Sequence, residues 1–579
     1  MGRNQKVESS IRVYIFVYPI SQCFWGHSPT KMTYSDDPIK ETISIFRSLL
    51  KDESLDLPDE CKKLVDQTEF VNSGQRLKIP CPLKECEVSA ALKGVESLAA
   101  LSLVKLRFGI EDKAKIDLFH SNLFLILTYL ASIDGQTKLD EKVKLKLKPT
   151  DLYQAQSITY RRMAANLYRT KDNRFYHIHG SLEASKTLNM IGLPAYNPKV
   201  VNYHQVVDCI QTAVSKYTCG ELEALNVQNR QAGIEALKYE QFLDTDHGKV
   251  ISSKPLWEID CIENETLPVA FSESISTKGK KALEGVKVLE LCRIIAGPTI
   301  GRILAEYGAT VVKVTSPDLP DVPFFQVEGN MGKHATDLNL KNENDRKIFE
   351  SLLEDADVII DGYRTNAIEK LGYGPSEIQN LAKKRGKGYI YASENCFGFE
   401  GAWSERPGWQ QIADCATGVA WAQGTALGLN EPMVPPFPMS DYGTGCIVAT
   451  AVLIAIHKRA TKGGSYWCKS SLVQYDLLLL KQGKYPSTLW REILAEQDDD
   501  VFKLRYYDSV DKISSTALKS LKKSCPKIFE ELEEYYTKAY SDGFNGELCV
   551  LKPVVEYEKT QVGYSCPSRP NGFDRPEWW

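Results

Sequence analysis

The pattern of apolar positions in this chain changes after residue 281. Early in the chain the spacing is helical: behind Ser35-Asp36-Asp37, residues Ile39, Ile43, Phe46, Leu49 and Leu50 recur on one face, which predicts a capped amphipathic helix. Residues 262–281 (IENETLPVAFSESISTKGKK) are polar and aperiodic and read as a linker. Beyond it, the run from Val286 to Leu291 predicts a strand. An Ala296-Gly297-Pro298 turn leads into a helix from Thr299 to Tyr307, with Ile300, Ile303 and Leu304 on one face. Gly308 ends that helix, and Ala309 to Val314 is a second strand. Further strands are expected from Asp357 to Asp361 and from Gly388 to Ser393, with helical stretches between. Such alternation implies an α/β fold with a doubly wound, Rossmann-like parallel sheet.

An internal repeat crosses this boundary. Pro80-Cys81-Pro82-Leu83-Lys84-Glu85 matches Pro436-Phe437-Pro438-Met439-Ser440-Asp441 in pattern. Each leads through small residues into a long apolar helix with a basic end, marked by Lys105 and Arg107 in one copy and by His457, Lys458 and Arg459 in the other. A short strand and an apolar helix follow in both, at Ile116-Asp117-Leu118 and at Cys468-Lys469-Ser470. In the first copy Glu85 stands where the second has Asp441.

Length adds a bound: 579 residues exceed one ordinary domain, so two or three packed units are expected. A net charge of −4 argues against a dedicated nucleic-acid surface, and the densest acidic stretch, Asp498-Asp499-Asp500, is short. The fifteen scattered cysteines form no CxxC pair, the usage of a reducing compartment, and a cytoplasmic location is expected, with mitochondrial and peroxisomal ones left open. No apolar run reads as a membrane span. Ile11 to Trp25, beside Arg3, Lys6 and Arg12, imitates a signal peptide. Pro19, Ser21 and Gln22 interrupt it and no cleavage-like site follows, so residues 1–34 are read as an unstructured extension.

Asp441 is the candidate for chemistry. It precedes Gly443-Thr444-Gly445 and an apolar helix reaching His457, which places it at a helix N-terminus. Free N–H groups and the macrodipole there favour an anion. Two roles stay open on this pattern alone: a helix cap, or an ionised nucleophile. His177 and His179 alternate on a predicted strand and would share a face, but no third ligand accompanies them, so packing is favoured over a metal site and no metal is expected.

Five blocks then occur in a familiar order: LEGVKVLELCRIIAGPTIGRILAEYGATVVKV (283–314), NMGKHATDLNLK (330–341), DADVIIDGYRTNAIEKLGYG (355–374), SENCFGFEGAWSERPGWQQIA (393–413) and PMSDYGTG (438–445). Together they resemble class III CoA-transferases, the CaiB/BaiF superfamily, which includes formyl-CoA and carnitine-CoA transferases and alpha-methylacyl-CoA racemase. The resemblance implies Asp441 as the catalytic carboxylate and coenzyme A as co-substrate. It implies CoA contacts at Arg293, Ile294, Ile295 and Ala296, at Leu338 and Lys341, at Gly362 and Tyr363, and at Lys370 and Leu371. Where racemases of this family carry a second acid/base His, this chain has Trp409, whose indole cannot serve as an acid or base. No copy of the glycine-rich active-site loop of formyl-CoA transferase is evident.

The first half resembles the family's other part. AKIDLFHSNLFLI (114–126), NLYRTKDNRFYHIHGS (166–181) and the stretch to His247 are similar to the small domain that usually follows the catalytic Asp, and Val550 to Trp579 to the closing segment. A duplication with complementary losses is the implied history. The expected division is a degenerate first copy at 35–261, the linker at 262–281, a CoA-binding domain at 282–480 and a helical segment with a closing tail at 481–579. Partners expected from the resemblance are an acyl-CoA, a small carboxylic acid and a second copy of the chain, without nucleic acid or membrane. The family's interlocked dimers suggest a homodimer here, less firmly interlocked or swapped through the linker. Three functions remain open: CoA transfer between acids, isomerisation at the alpha carbon of an acyl-CoA, and non-catalytic acyl-CoA binding.

Overall fold

The main sheet runs in the order Lys333–Asp337, Thr310–Thr315, Lys287–Leu291, Val358–Asp361, Ile390–Asn395, Ser465–Ser471 and Glu258–Glu263. These strands come from a computed structural model that describes residues 37–74, 76–271, 279–530 and 532–579. The expected extension at 1–34 lies outside the described residues, as do positions 272–278 of the linker. Neighbouring strands pair in parallel, except that Glu258–Glu263 lies antiparallel on Ser465–Ser471. This is the expected doubly wound α/β sheet. Its strand order reverses between Lys287–Leu291 and Val358–Asp361, and a crevice opens at such a switch point.

Both faces of the sheet are covered, which is why its strands read as nearly continuous apolar runs. Val288, Ile360, Ile390 and Ala392 join a core with the helices Ala296–Glu306 and Met439–Lys462. Leu289, Val312, Ile359 and Tyr391 join another with Glu343–Asp355 and Pro375–Arg385.

The two long apolar helices expected from the sequence pattern are Glu85–Phe108 and Met439–Lys462, each of 24 residues, buried and packed against each other. By length and composition Met439–Lys462 would pass for a membrane span, a run the sequence reading did not single out; 94% of its most apolar stretch is buried inside the fold. Each helix links two parallel strands, Thr68–Val71 to Ala114–Asp117 in the first half and Ile390–Asn395 to Ser465–Ser471 in the second. Each pair is closed by an antiparallel strand from the opposite half: Val555–Tyr557 lies on Ala114–Asp117, as Glu258–Glu263 lies on Ser465–Ser471. The halves therefore exchange strands within one chain.

The remaining strands of the first half, Ala165–Arg169, Phe175–His179 and Ala232–Glu235, form a separate antiparallel sheet. Its residues Leu167, Phe175 and Ile234 pack in one core with Ile412 and Ala416 of the second half. The tail expected as helical also holds strands: Tyr536–Ser541 and Gly546–Leu551 pair with each other, and the latter with Ser132–Ile133 of the first half.

A buried ion pair lies at the seam of the long helices. Lys93 Nζ is 2.9 Å from Glu96 Oε2, with side chains 1% and 0% exposed. Glu96 also accepts from Tyr307 Oη at 3.0 Å and from Cys446 Sγ at 3.1 Å, both from the second half. Removing one partner strands the other charge, so Lys93→Met should lower unfolding free energy by about 3–5 kcal/mol in urea titrations. Adding Glu96→Met should recover most of that loss. Equal losses from the single and double variants would mean that the pair is not what the seam depends on.

Candidate active site

Asp441 sits in the first turn of Met439–Lys462, inside the helix rather than before it. Gly443 and Gly445 are explained by packing: a Cβ on Gly443 would lie 2.0 Å from the Tyr475 ring, and one on Gly445 2.5 Å from Thr299 and 2.9 Å from the Ala296 carbonyl oxygen. Gly445 brings the helix against Ala296–Glu306 and so carries Asp441 to the turn that precedes it, while Gly443 admits Tyr475. The ionised state expected from the helix terminus does not hold. Burial pushes the Asp441 carboxyl up to about 8, and a helix terminus, worth at most about 2 kcal/mol, is outweighed.

The turn expected to hold coenzyme A follows the central strand. Arg293 donates from Nη1 to the Pro320 carbonyl at 2.9 Å and lies 5.5 Å from the centre of the Tyr363 ring. Ile295 has φ 32°, a conformation a β-branched residue rarely adopts, and stores on the order of 1–3 kcal/mol of strain beside Asp441. Gly362 ends the neighbouring strand, where a Cβ would lie 2.8 Å from Cys292 Sγ and 3.0 Å from Glu394 Oε1. Arg293, Gly362 and Tyr363 thus face one another across the switch point.

Two cavities meet at Asp441. A smaller one, of about 90 Å³, is bounded by Arg293, Ala296, Gly362, Tyr363, Arg364 and Glu394. A larger one, of about 420 Å³, lies between the halves, with Ile295, Phe324 and Gln410 from the second and Tyr129, His179 and Leu182 from the first. Asp441, Ile294 and Trp409 line both. The Trp409 indole N–H donates to Ser181 Oγ at 2.9 Å, and the His179 ring stacks on the indole at 5.3 Å and 9°. The first half therefore covers the carboxyl end of the sheet directly over Asp441.

Four of the expected CoA contacts stand apart from these cavities. Leu338 is buried in an apolar cluster against which Tyr363 and Leu371 pack, and Lys341 and Lys370 are exposed. None of Leu338, Lys341, Lys370 and Leu371 lines a cavity that contains Asp441. His177 and His179 do share a face, with rings 5.6 Å apart, and among the described residues no group of side chains could hold a metal with them. Burial holds both imidazoles neutral.

Sequence reasoning missed Glu394, at the carboxyl end of Ile390–Asn395. Burial first, then the neighbouring Asp441 and Asp361, push its carboxyl up to about 8, while the Gly297 N–H donates to it. Its place at a strand end of a predicted parallel sheet was the available signal. Glu85, which the sequence pattern matched to Asp441, is pushed up to about 7 by burial and accepts from Tyr475 Oη. It lines neither cavity at Asp441.

Relatives give this site a context. A sequence profile described as CoA-transferase family III matches residues 283–511. The chain is 34% identical over 555 residues to the acetyl-coenzyme A transferase nodX of Hypoxylon pulicicidum, covering 93% of each chain. It is 32% identical over 513 residues to an acyl-CoA transferase of Gibberella moniliformis, covering 86% of this chain and 88% of the relative. It is 28% identical over 195 residues to a formyl-CoA:oxalate CoA-transferase of Rhodopseudomonas palustris, covering 32% of this chain and 44% of the relative.

Both site carboxyls should hold protons at neutral pH and lose them as pH rises through about 8, in two steps belonging to the pair. Infrared difference spectra between pH 6 and 9, on the order of two units around that value, should show a protonated-carboxyl band disappearing. The band should weaken in Asp441→Asn and again in Asp441→Asn with Glu394→Gln. Identical spectra from all three proteins would show that these carboxyls ionise below that range.

Proposed function

The chain belongs to CoA-transferase family III, and from that premise we propose that it moves coenzyme A between an acyl-CoA and a carboxylic acid through a thioester on Asp441. The observation that carries this is the position of Asp441 where two cavities meet, one reaching the switch-point crevice and one closed over by the first half. Arg293 and Arg364 put two cations in the smaller cavity, suited to the phosphates of coenzyme A, and Tyr363 offers a flat apolar face. Lys341 and Lys370, exposed beside the cluster of Leu338 and Leu371, would extend that track toward solvent.

In the proposed reaction an Asp441 carboxylate oxygen attacks the thioester carbonyl carbon. The C–S bond breaks, leaving an acyl-aspartyl anhydride and CoA thiolate. The thiolate then attacks the Asp441 carboxyl carbon and expels the donor acid as a carboxylate, giving aspartyl-CoA. The acceptor carboxylate attacks that thioester, and the thiolate returns to the acceptor acyl group, which restores Asp441. Each intermediate is activated toward water, so the cover supplied by the first half matters as much as the nucleophile. The raised Asp441 carboxyl means that the unliganded enzyme must lose a proton before the first attack.

A second reading, exchange at the alpha carbon, gains one observation. His179 lines the same cavity as Asp441, and its imidazole is neutral. Its Nδ1 accepts from the Ser181 N–H at 3.0 Å, which leaves Nε2 as the proton-bearing atom and favours a donor over a base. Deuterium washing into the alpha position without label moving between acids would favour this reading over transfer.

We also infer that the chain is a duplicated pair in which Glu85 marks a spent site. The matched helices and reciprocal closing strands support this. One chain supplies both walls of the site, so the homodimer expected from the resemblance would add no missing part.

Asp441→Asn should lower transfer of labelled CoA between acids on the order of 10³-fold or more, with circular dichroism unchanged. In the native enzyme kcat/KM should rise as pH passes about 8, because the attacking carboxyl must be ionised. Undiminished transfer by a folded Asp441→Asn protein would eliminate the covalent route.

A further inference from the structure

The larger cavity is far bigger than a small acid needs. A cavity of roughly 150 Å³ holds a benzene ring, so about 420 Å³ has room for on the order of fifteen heavy atoms by the same scaling. An acetyl group would leave most of it to water. Apolar side chains make up much of its walls, with Tyr129, Leu147 and Val143 from the first half and Phe324, Phe325 and Ile295 from the second. The walls are also preformed. Val143 is 2% exposed and Phe324 4%, and both belong to a cluster shared by the first half, the second half and the tail strand Gly546–Leu551.

Polar side chains, among them Glu141, Lys144, Asp151 and Gln411, share this lining, and one cluster of them stands out. Lys138 Nζ is 2.7 Å from Asp511 Oδ1, and Arg162 Nε is 3.1 Å from Asp511 Oδ2. Two cations share one carboxylate here, a local excess of positive charge at this point of the lining. Lys138 is held at that wall by the Tyr129 and Phe325 rings, 5.1 Å and 5.8 Å from its Nζ. Both cations pointing at one acid leaves hydrogen-bonding capacity for an oxygen of a bound molecule.

We propose that this cavity is an acyl site for a bulky, mostly apolar carboxylic acid that carries a further oxygen-bearing group, held by Lys138 and Arg162. The proposal rests on CoA transfer at Asp441 and names the class of acid that the reaction takes. The acyl carbonyl lies at Asp441, coenzyme A leaves through the smaller cavity past Arg293 and Tyr363, and the acyl chain fills the space between the halves. Specificity for the acid is then set largely by the first half, which supplies no nucleophile.

The test separates binding from turnover. Calorimetry on folded Asp441→Asn protein would compare acetyl-CoA, decanoyl-CoA and the decanoyl thioester with a terminal carboxylate. Decanoyl-CoA should bind at least about tenfold more tightly than acetyl-CoA, since burying some two methylenes already gives that factor. The terminal carboxylate should add a further factor of about three, as one charge-assisted hydrogen bond in a wet site would. Lys138→Met should remove that second gain and leave the first. Equal affinity for acetyl-CoA and decanoyl-CoA would overturn the acyl site, and a missing second gain would overturn the role of Lys138 and Arg162. Binding as expected with no transfer by the native enzyme would defeat the reaction and leave the site standing. If none of the thioesters binds at millimolar concentration, both readings fall.

Discussion

The packing of Glu85–Phe108 against Met439–Lys462 governs the rest of this molecule. Each helix is buried nearly all round and so is enclosed by both halves of the chain. Their contact fixes the depth of Met439–Lys462 behind the main sheet. That depth, with Gly443 and Gly445 permitting close approach, puts Asp441 beside the strained turn at Ile295. At the same seam Glu96, paired with Lys93, also accepts from Tyr307 and Cys446 of the second half, which gives the apolar contact a defined register. Shape alone would let such smooth helices slide.

Burial of this kind is costly for a carboxyl, and the site uses the cost. Asp441 and Glu394 are both held toward the neutral form, by desolvation more than by each other. A carboxylate that loses its water shell is a stronger nucleophile once ionised. Arg293 and Arg364 line the same small cavity, so a bound polyanion would change the field there again. The strain at Ile295 follows the same logic. A β-branched side chain at positive φ persists only because Ile294 and Ala296 on either side are fixed by cavity wall and helix, and it aims the turn at Asp441.

Much of this was legible in the chain. The doubly wound sheet declared itself through uninterrupted apolar runs between helical segments, and the Pro-x-Pro entries revealed the paired helices. Asp441, Arg293, Gly362 and Tyr363 were found from motifs, and they do converge. What could not be read depends on pairing between distant segments. Gly546–Leu551 lies beside Ser132–Ile133, and no local period announces a partner so far away in sequence. Glu394 stands at a strand end, which was a signal, but nothing local to that strand announces that the turn at Gly297 reaches its carboxyl. The ionisation of Asp441 was misjudged because a helix terminus is visible in sequence and the surrounding burial is not. Ile295 was hidden for the opposite reason: turn chemistry predicts glycine or asparagine at positive φ, and the strain is tolerated only by the finished fold.

The reciprocal closing strands bear on why two halves persist in one chain. Glu258–Glu263 completes the sheet that carries Asp441, and Val555–Tyr557 completes the strand pair beneath Glu85. Neither half can leave without exposing a strand edge of the other, so the cover over Asp441 cannot dissociate as a separate subunit could. Covalent linkage also means that the two halves need not match each other. Glu85, which lines neither cavity, accepts from Tyr475, while Tyr129, Lys138 and Val143 of the first half line the chamber opposite Asp441. In a symmetric pair each wall residue would recur at both sites. Joined in one chain, one half can shape the chamber while the other carries Asp441.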